Sequence, residues 1–209
     1  PTWSPDSKEI AFMLNPGNPL DVPSGIWITR ADGTELRWVA EGGTAEWSPQ
    51  GDLIATADYG RQRNVYLVDV KSGERRRLFK DDRKKSKSRL AWAPDGRRLL
   101  FAPAYPMADE LFWAVDVTQA EPTPVPLGTK PAGAELPPNW GVPAWSPDGK
   151  DIAFNMFPGR QGSSELHIIS AERLAAPRRI HPALTLSSGE ATWSPDSKQI
   201  AFAGRLANE

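Results

Sequence analysis

Trp145-Ser-Pro-Asp-Gly-Lys-Asp-Ile-Ala-Phe154 is the stretch that decides the fold, because the chain writes it five times. The other copies are Trp3-Ser-Pro-Asp-Ser-Lys-Glu-Ile-Ala-Phe12, Trp47-Ser-Pro-Gln-Gly-Asp-Leu-Ile-Ala-Thr56, Trp92-Ala-Pro-Asp-Gly-Arg-Arg-Leu-Leu-Phe101 and Trp193-Ser-Pro-Asp-Ser-Lys-Gln-Ile-Ala-Phe202. Their tryptophans are spaced by 44, 45, 53 and 48 residues. A period in the forties marks an array in which each unit is one supersecondary element that buries its faces only against its neighbours.

Within each copy the chemistry is that of a tight hairpin. Pro presets φ near −65° for a turn, and the Gly two residues on supplies φ > 0. Ser7 and Ser197 stand where the other copies have Gly, so a Cβ is expected at positive φ there. The turn Asp is expected to bond its own backbone and to be structural rather than catalytic or metal-binding.

Outward from the second motif, Leu53–Ala57 reads as the returning strand. Residues 64–70 read as a third strand, rich in β-branched and aromatic types, and 75–79 as a fourth. Four antiparallel strands and two tight turns per repeat describe a propeller blade. The fold class is therefore all-β, a β-propeller of about four four-stranded blades plus one hairpin. The blades fall at approximately 1–43, 44–89, 90–142 and 143–190, with a partial one at 191–209. The recurring tryptophans are expected to pack between neighbouring blades, each burying about 200 Å².

Composition narrows the chemistry. The chain has 209 residues, 39% hydrophobic and 24% charged, with a net charge of −1. It has no apolar run of the roughly 20 residues that a membrane-crossing helix needs, so membrane insertion is not expected. Cysteine is absent, which removes disulfides, Cys-ligated zinc and thiol catalysis. Residues 71–89 hold ten Lys or Arg against three acids, a local net charge of +7. The aromatic interleaving of a single-strand reader is missing, so the run reads as a solvated outer strand and loop, and no nucleic acid is expected.

Enzymatic signatures are lacking. No Gly-x-Ser-x-Gly elbow, His-Glu-x-x-His, phosphate loop or calcium loop occurs. Of the two histidines, His167 falls on an apolar strand, where such a group is usually structural. No catalytic residue, cofactor or metal is expected.

The phrase Trp-Ser-Pro-Asp-Gly-Lys-x-Ile-Ala-Phe resembles the WD40-like PD40 repeat of TolB-type β-propellers, with Ala144–Phe154 the closest match and five copies spanning essentially the whole chain. Similar repeats occur in propeller domains of tricorn-type proteases and of prolyl-oligopeptidase-like peptidases. The resemblance implies a propeller of six or more blades, often in the bacterial envelope, that works by binding. Six blades of this length need roughly 270 residues. The chain is accordingly expected to be a fragment or an open arc, with self-association through open blade edges. The alternative is a small closed ring of four or five blades.

Blade connectivity places the short turns on one face and the long loops on the other, at residues 13–24, 80–89, 103–109, 128–143 and 157–164. Long loops on one face mark it as the expected binding surface. Tyr105, Met107, Trp140 and Phe157 are large apolar residues in those loops and are the candidate partner-binding anchors. The leading reading is a non-catalytic TolB-like scaffold for a protein partner, periplasmic or extracellular. The second is a substrate-gating accessory domain of a prolyl-oligopeptidase-like serine peptidase whose catalytic domain is absent from this chain. A third is recognition of a saccharide or other small ligand in the central channel.

Overall fold

Each motif begins a blade because its hairpin turn fixes two strands and the following apolar segments extend the pairing. The computed structural model describes residues 1–15, 17, 22–58, 64–78, 87–103, 110–129, 143–156, 164–172, 176–180, 184–186 and 191–206, with backbone alone at 87–89, 103, 110, 184–186, 205 and 206.

The first sheet runs in chain order through β1 (Thr2–Trp3), β2 (Glu9–Leu14), β3 (Gly25–Arg30) and β4 (Arg37–Ala40). The second comprises β5 (Glu46–Trp47), β6 (Leu53–Ala57), β7 (Val65–Asp69) and β8 (Arg75–Arg77). The third comprises β9 (Lys87–Trp92), β10 (Arg98–Pro103), β11 (Glu110–Asp116) and β12 (Val125–Thr129). The fourth comprises β13 (Ala144–Trp145), β14 (Asp151–Met156), β15 (Glu165–Ser170) and β16 (Arg178–Arg179). Every described pairing is antiparallel and joins consecutive strands in these four blades.

The fifth motif adds more than a hairpin. β18 (Thr192–Trp193) pairs with β19 (Ile200–Ala201), and outside them β17 (Leu184–Leu186) pairs with β20 (Gly204–Leu206). Several strands also run further than their sequence suggests. Met13 and Leu14 belong to β2, and Gly128 and Thr129 to β12, because in-register partners (Leu14↔Gly25, Glu110↔Thr129) continue the ladder into what reads as loop.

The core lies between blades rather than within one. A blade has two faces and period-2 alternation, so one set of side chains meets the preceding blade and the other set the next. Ala11, Ile26 and Ile28 of the first blade pack on Trp47, Ile54 and Val68 of the second. Ala55, Val65 and Leu67 then meet Leu99, Phe101 and Trp113. Leu100, Phe112 and Leu127 meet Trp145, Ile152 and Phe154, where Phe112 and Phe154 cross edge to face at 5.0 Å. Ala153, Leu166 and Ile168 meet Trp193 and Ile200.

The turns behave as their residues require. Gly51, Gly96 and Gly149 adopt φ of +81°, +65° and +72°, and Ser7 and Ser197 take the same conformation at +60° and +61°. Asp148 accepts from the Ser146 hydroxyl at 2.7 Å and the Lys150 N–H at 3.2 Å, and those two bonds hold its carboxyl below the ordinary value of 3.8. Asp6 and Asp196 repeat this arrangement. In the second motif Gln50 takes the Asp position and reaches sideways to donate to the Asp95 carbonyl of the next blade at 3.2 Å.

Candidate functional site

The third strands carry the side chains that differ most between blades. At one aligned position, which in blades two to four faces the preceding blade, stand Trp27, Tyr66, Trp113 and His167, paired with Phe12, Thr56, Phe101 and Phe154. Two of the four are apolar rings within the packing. Tyr66 and His167 bring polar atoms into a blade junction, and each lies opposite an arginine of the fourth strand, Arg77 and Arg179.

In the second blade these polar atoms border a crevice of about 360 Å³ between blades one and two, lined by Ser24, Glu41, Gly42, Asp58, Tyr66 and Arg75. Ser24 and Asp58 lie at the loops that join second to third strands, and Glu41 and Gly42 at the crossing from blade one to blade two. The crevice therefore opens on the long-loop face. Arg75 organises it. Its guanidinium lies 3.6 Å over the Tyr66 ring, pairs with Asp58 in a close charge-assisted bond, and reaches Glu41 at 3.3 Å. The Tyr66 hydroxyl donates to Asp58 at 3.3 Å, and the Asn64 amide donates to the same oxygen at 3.1 Å.

Stacking and pairing together fix the arginine in one orientation, so little side-chain entropy is left to lose when a ligand arrives. Glu41 is 82% exposed, whereas Arg75 and Asp58 are about three-quarters covered, at 23% and 22%. The lining holds two carboxylates and one guanidinium, with Glu41 the group most free to turn toward a partner. Gly42 keeps the crevice open at its base, where a Cβ would collide with Thr56 and Ile26.

The fourth blade carries a smaller, closed version. His167 is 4% exposed, its Nε2–H donates to Glu165 at 2.9 Å, and Arg179 pairs with the other Glu165 oxygen at 2.9 Å. Burial outweighs the Glu165 hydrogen bond and pushes the imidazole below its ordinary 6.5, so it is neutral, with Nδ1 buried and unprotonated. No hydroxyl nucleophile is bonded to that ring among the described residues. Nor do three His, Cys, Asp or Glu side chains converge as metal ligands among the described residues.

A wider dip of about 500 Å³ lies on the turn face between Asp6, Lys8, Glu9, Arg30, Asp32 and Glu35. Its charges are already committed: Asp32 to Thr34, and Arg30 to Glu35 at 2.9 Å. Tyr105, Met107, Trp140 and Phe157 lie outside the described residues. So do residues 79–86 of the basic run; of its described side chains, Lys71, Arg76 and Arg77 are exposed, while Arg75 belongs to the crevice.

Sequence reasoning missed the crevice, counting Arg75 among solvated charges. The available signal was Tyr66, which shares the phase of the interface residue Val68 and so carries its hydroxyl into a blade junction.

No family model matches the sequence, and no curated protein matches it. Solved structures do match by fold. TolB from Acinetobacter baumannii is 20% identical with a TM-score of 0.68, the match covering 97% of this chain and 48% of that one. A TolB from Agrobacterium tumefaciens is 16% identical with a TM-score of 0.63, covering 98% and 65%. The acylaminoacyl peptidase of Pyrococcus horikoshii is 14% identical with a TM-score of 0.54, covering 83% and 30%. The chain thus spans less than two thirds of each of these proteins. At such identities the shared property is the fold, a TolB-like propeller arrangement of four-stranded blades.

Proposed function

We propose that this chain is a non-catalytic, TolB-like propeller that holds a protein partner against its long-loop face, in the bacterial envelope or outside the cell. The crevice at Arg75 carries this reading. It is polar, open to the loop face and preorganised, and it bonds its own groups in a way that positions rather than activates them. With Glu41 and Asp58 against Arg75, the occupant its charge favours is a basic side chain of the partner, seated beside the exposed Glu41. Tyr105, Met107, Trp140 and Phe157, assigned to the same face from sequence, extend the proposed surface.

The test is selection of a random displayed peptide library on the immobilised chain. Enrichment of peptides with Lys or Arg, recovered intact by mass spectrometry after incubation, supports the reading. Enrichment without basic residues removes the charge argument, and cleavage of bound peptides removes the non-catalytic assignment.

A second reading has one observation in its favour, the fold similarity to an acylaminoacyl peptidase of which this chain covers 30%. Under it the propeller is the substrate-gating accessory domain of a prolyl-oligopeptidase-like serine peptidase. Sequencing the source gene through both ends of this segment separates the two, since only the gate requires an adjoining domain with a Gly-x-Ser-x-Gly elbow.

A further inference from the structure

The basic run of residues 71–89 does not stay on one outer strand. It passes through β8, the outer strand of blade two, and ends in β9, the inner strand of blade three. Arg77 pairs in register with Tyr66 and donates to Asn64 at 2.8 Å, which sets it at the loop end of β8. β8 therefore ends, and β9 begins, at the long-loop face. The run has one end at the rim of that face and the other at its inner edge.

β9 is unlike the inner strands of the neighbouring blades. β5 and β13 have two residues each, whereas β9 has six. The extra residues precede the motif and lengthen the strand toward the loop face, bringing Lys87 and Arg89 into it. The ladder is irregular there. Leu90 pairs with Phe101 and Ser88 with Ala102, so Arg89 stands between two pairs without a partner of its own in register. Strands use such a bulge to end pairing or redirect a residue, often beside a binding site.

The charge is concentrated as well as placed. The run carries +7 in a chain whose total is −1, so the remaining residues carry −8. Arg75 is matched by Asp58 and Glu41. Arg76 is exposed and meets the Val117 carbonyl at 3.4 Å, with no carboxylate among the described residues.

We propose that the loop face between blades two and three docks an acidic segment of a partner protein, with Arg77 at the rim and Lys87 and Arg89 at the inner edge. A short run of carboxylates matches a local positive patch, whereas a long nucleic acid would also lie along surface of its own sign, without aromatic residues to stack on. The crevice at Arg75 lies on the other side of blade two, and this contact stands whether or not that crevice takes a basic group.

Binding of a fluorescein-labelled oligoglutamate peptide to the full chain, read by anisotropy, tests it. Saturable binding at low ionic strength that weakens as salt is raised is expected. Lys87→Glu and Arg89→Glu should each weaken it at least about threefold, and together at least about tenfold. Lys150→Glu, the same reversal at an exposed lysine of the turn face, should leave it unchanged. A wild-type melting temperature checks that the variants fold, and Arg77→Gln at the exposed rim is the further variant should either strand substitution fail that check. Absence of saturable binding overturns the proposal, and so does binding that the loop-face variants leave intact. An equal loss from Lys150→Glu overturns it as attraction by net charge alone. Tighter binding of an oligothymidylate of equal charge overturns it in favour of a nucleic-acid site.

Discussion

The indole N–H of Trp145 donates across a blade junction to the carbonyl of Ala91, 3.3 Å away and 54 residues earlier. Blade three is thereby tied to blade four at the inner strands, where β9 and β13 meet. The same ring is 9% exposed and packs with Leu100, Ile152 and Phe154. Its equivalent in the first motif, Trp3, is 56% exposed. One sequence motif is therefore a packed tie in the fourth blade and an exposed ring in the first.

That difference sets a stability contrast. Trp145→Ala removes a buried ring and its bond to the Ala91 carbonyl, and is expected to cost about 3–5 kcal/mol. Trp3→Ala is expected to shift stability by no more than about 0.5 kcal/mol, since the ring is exposed. Urea unfolding followed by circular dichroism reads both.

The two turn serines make a second pair. Ser7 and Ser197 both sit at φ near +60°, where a Cβ is strained. Ser7→Gly is expected to stabilise by about 0.5 kcal/mol, the released strain exceeding the entropy that Gly adds to the unfolded chain. Ser197→Gly gains the same relief but loses the bond its hydroxyl accepts from the Asp148 N–H at 3.0 Å, and is expected to be near neutral. Paired melting curves decide whether that interblade bond contributes.

The neutral His167 gives stability a pH dependence. Burial, the larger influence, places its folded pKa below the ordinary 6.5, so the unfolded chain takes up a proton first as pH falls. Its contribution is complete above about 6.5 and is lost as pH drops below that toward the folded value. The melting temperature should fall between pH 7 and 5. His167→Gln, which keeps a donor for Glu165 without a titrating ring, should flatten that fall; an unchanged slope would place the dependence elsewhere.

Much of the architecture was legible because repetition makes each copy a control on the others. Trp-Ser-Pro-Asp-Gly announces its hairpin by turn chemistry, and the alternation in Val65–Asp69 announces a strand. The positive φ at Ser7 and Ser197 follows from their alignment with glycines. The crevice was not legible, since Glu41, Asp58, Tyr66 and Arg75 come from two blades and share no spacing. Arg75, Arg76 and Arg77 look equivalent in sequence; alternation puts Arg75 and Arg77 on the face that Tyr66 shares, and only coordinates reveal that Asp58 meets Arg75 there. Trp3 failed the general expectation for motif tryptophans because packing depends on a neighbour, which sequence position alone does not supply.

The most direct test of the account is a calorimetric titration of library-selected peptides into the wild-type chain and into Glu41→Lys. Glu41 is 82% exposed, so the substitution leaves the packing intact while reversing charge at the crevice mouth. Binding on this face predicts at least about a tenfold loss of affinity, roughly 1.4 kcal/mol, with the melting temperature unchanged. Equal affinity for both chains, repeated with Tyr66→Ala, would contradict it.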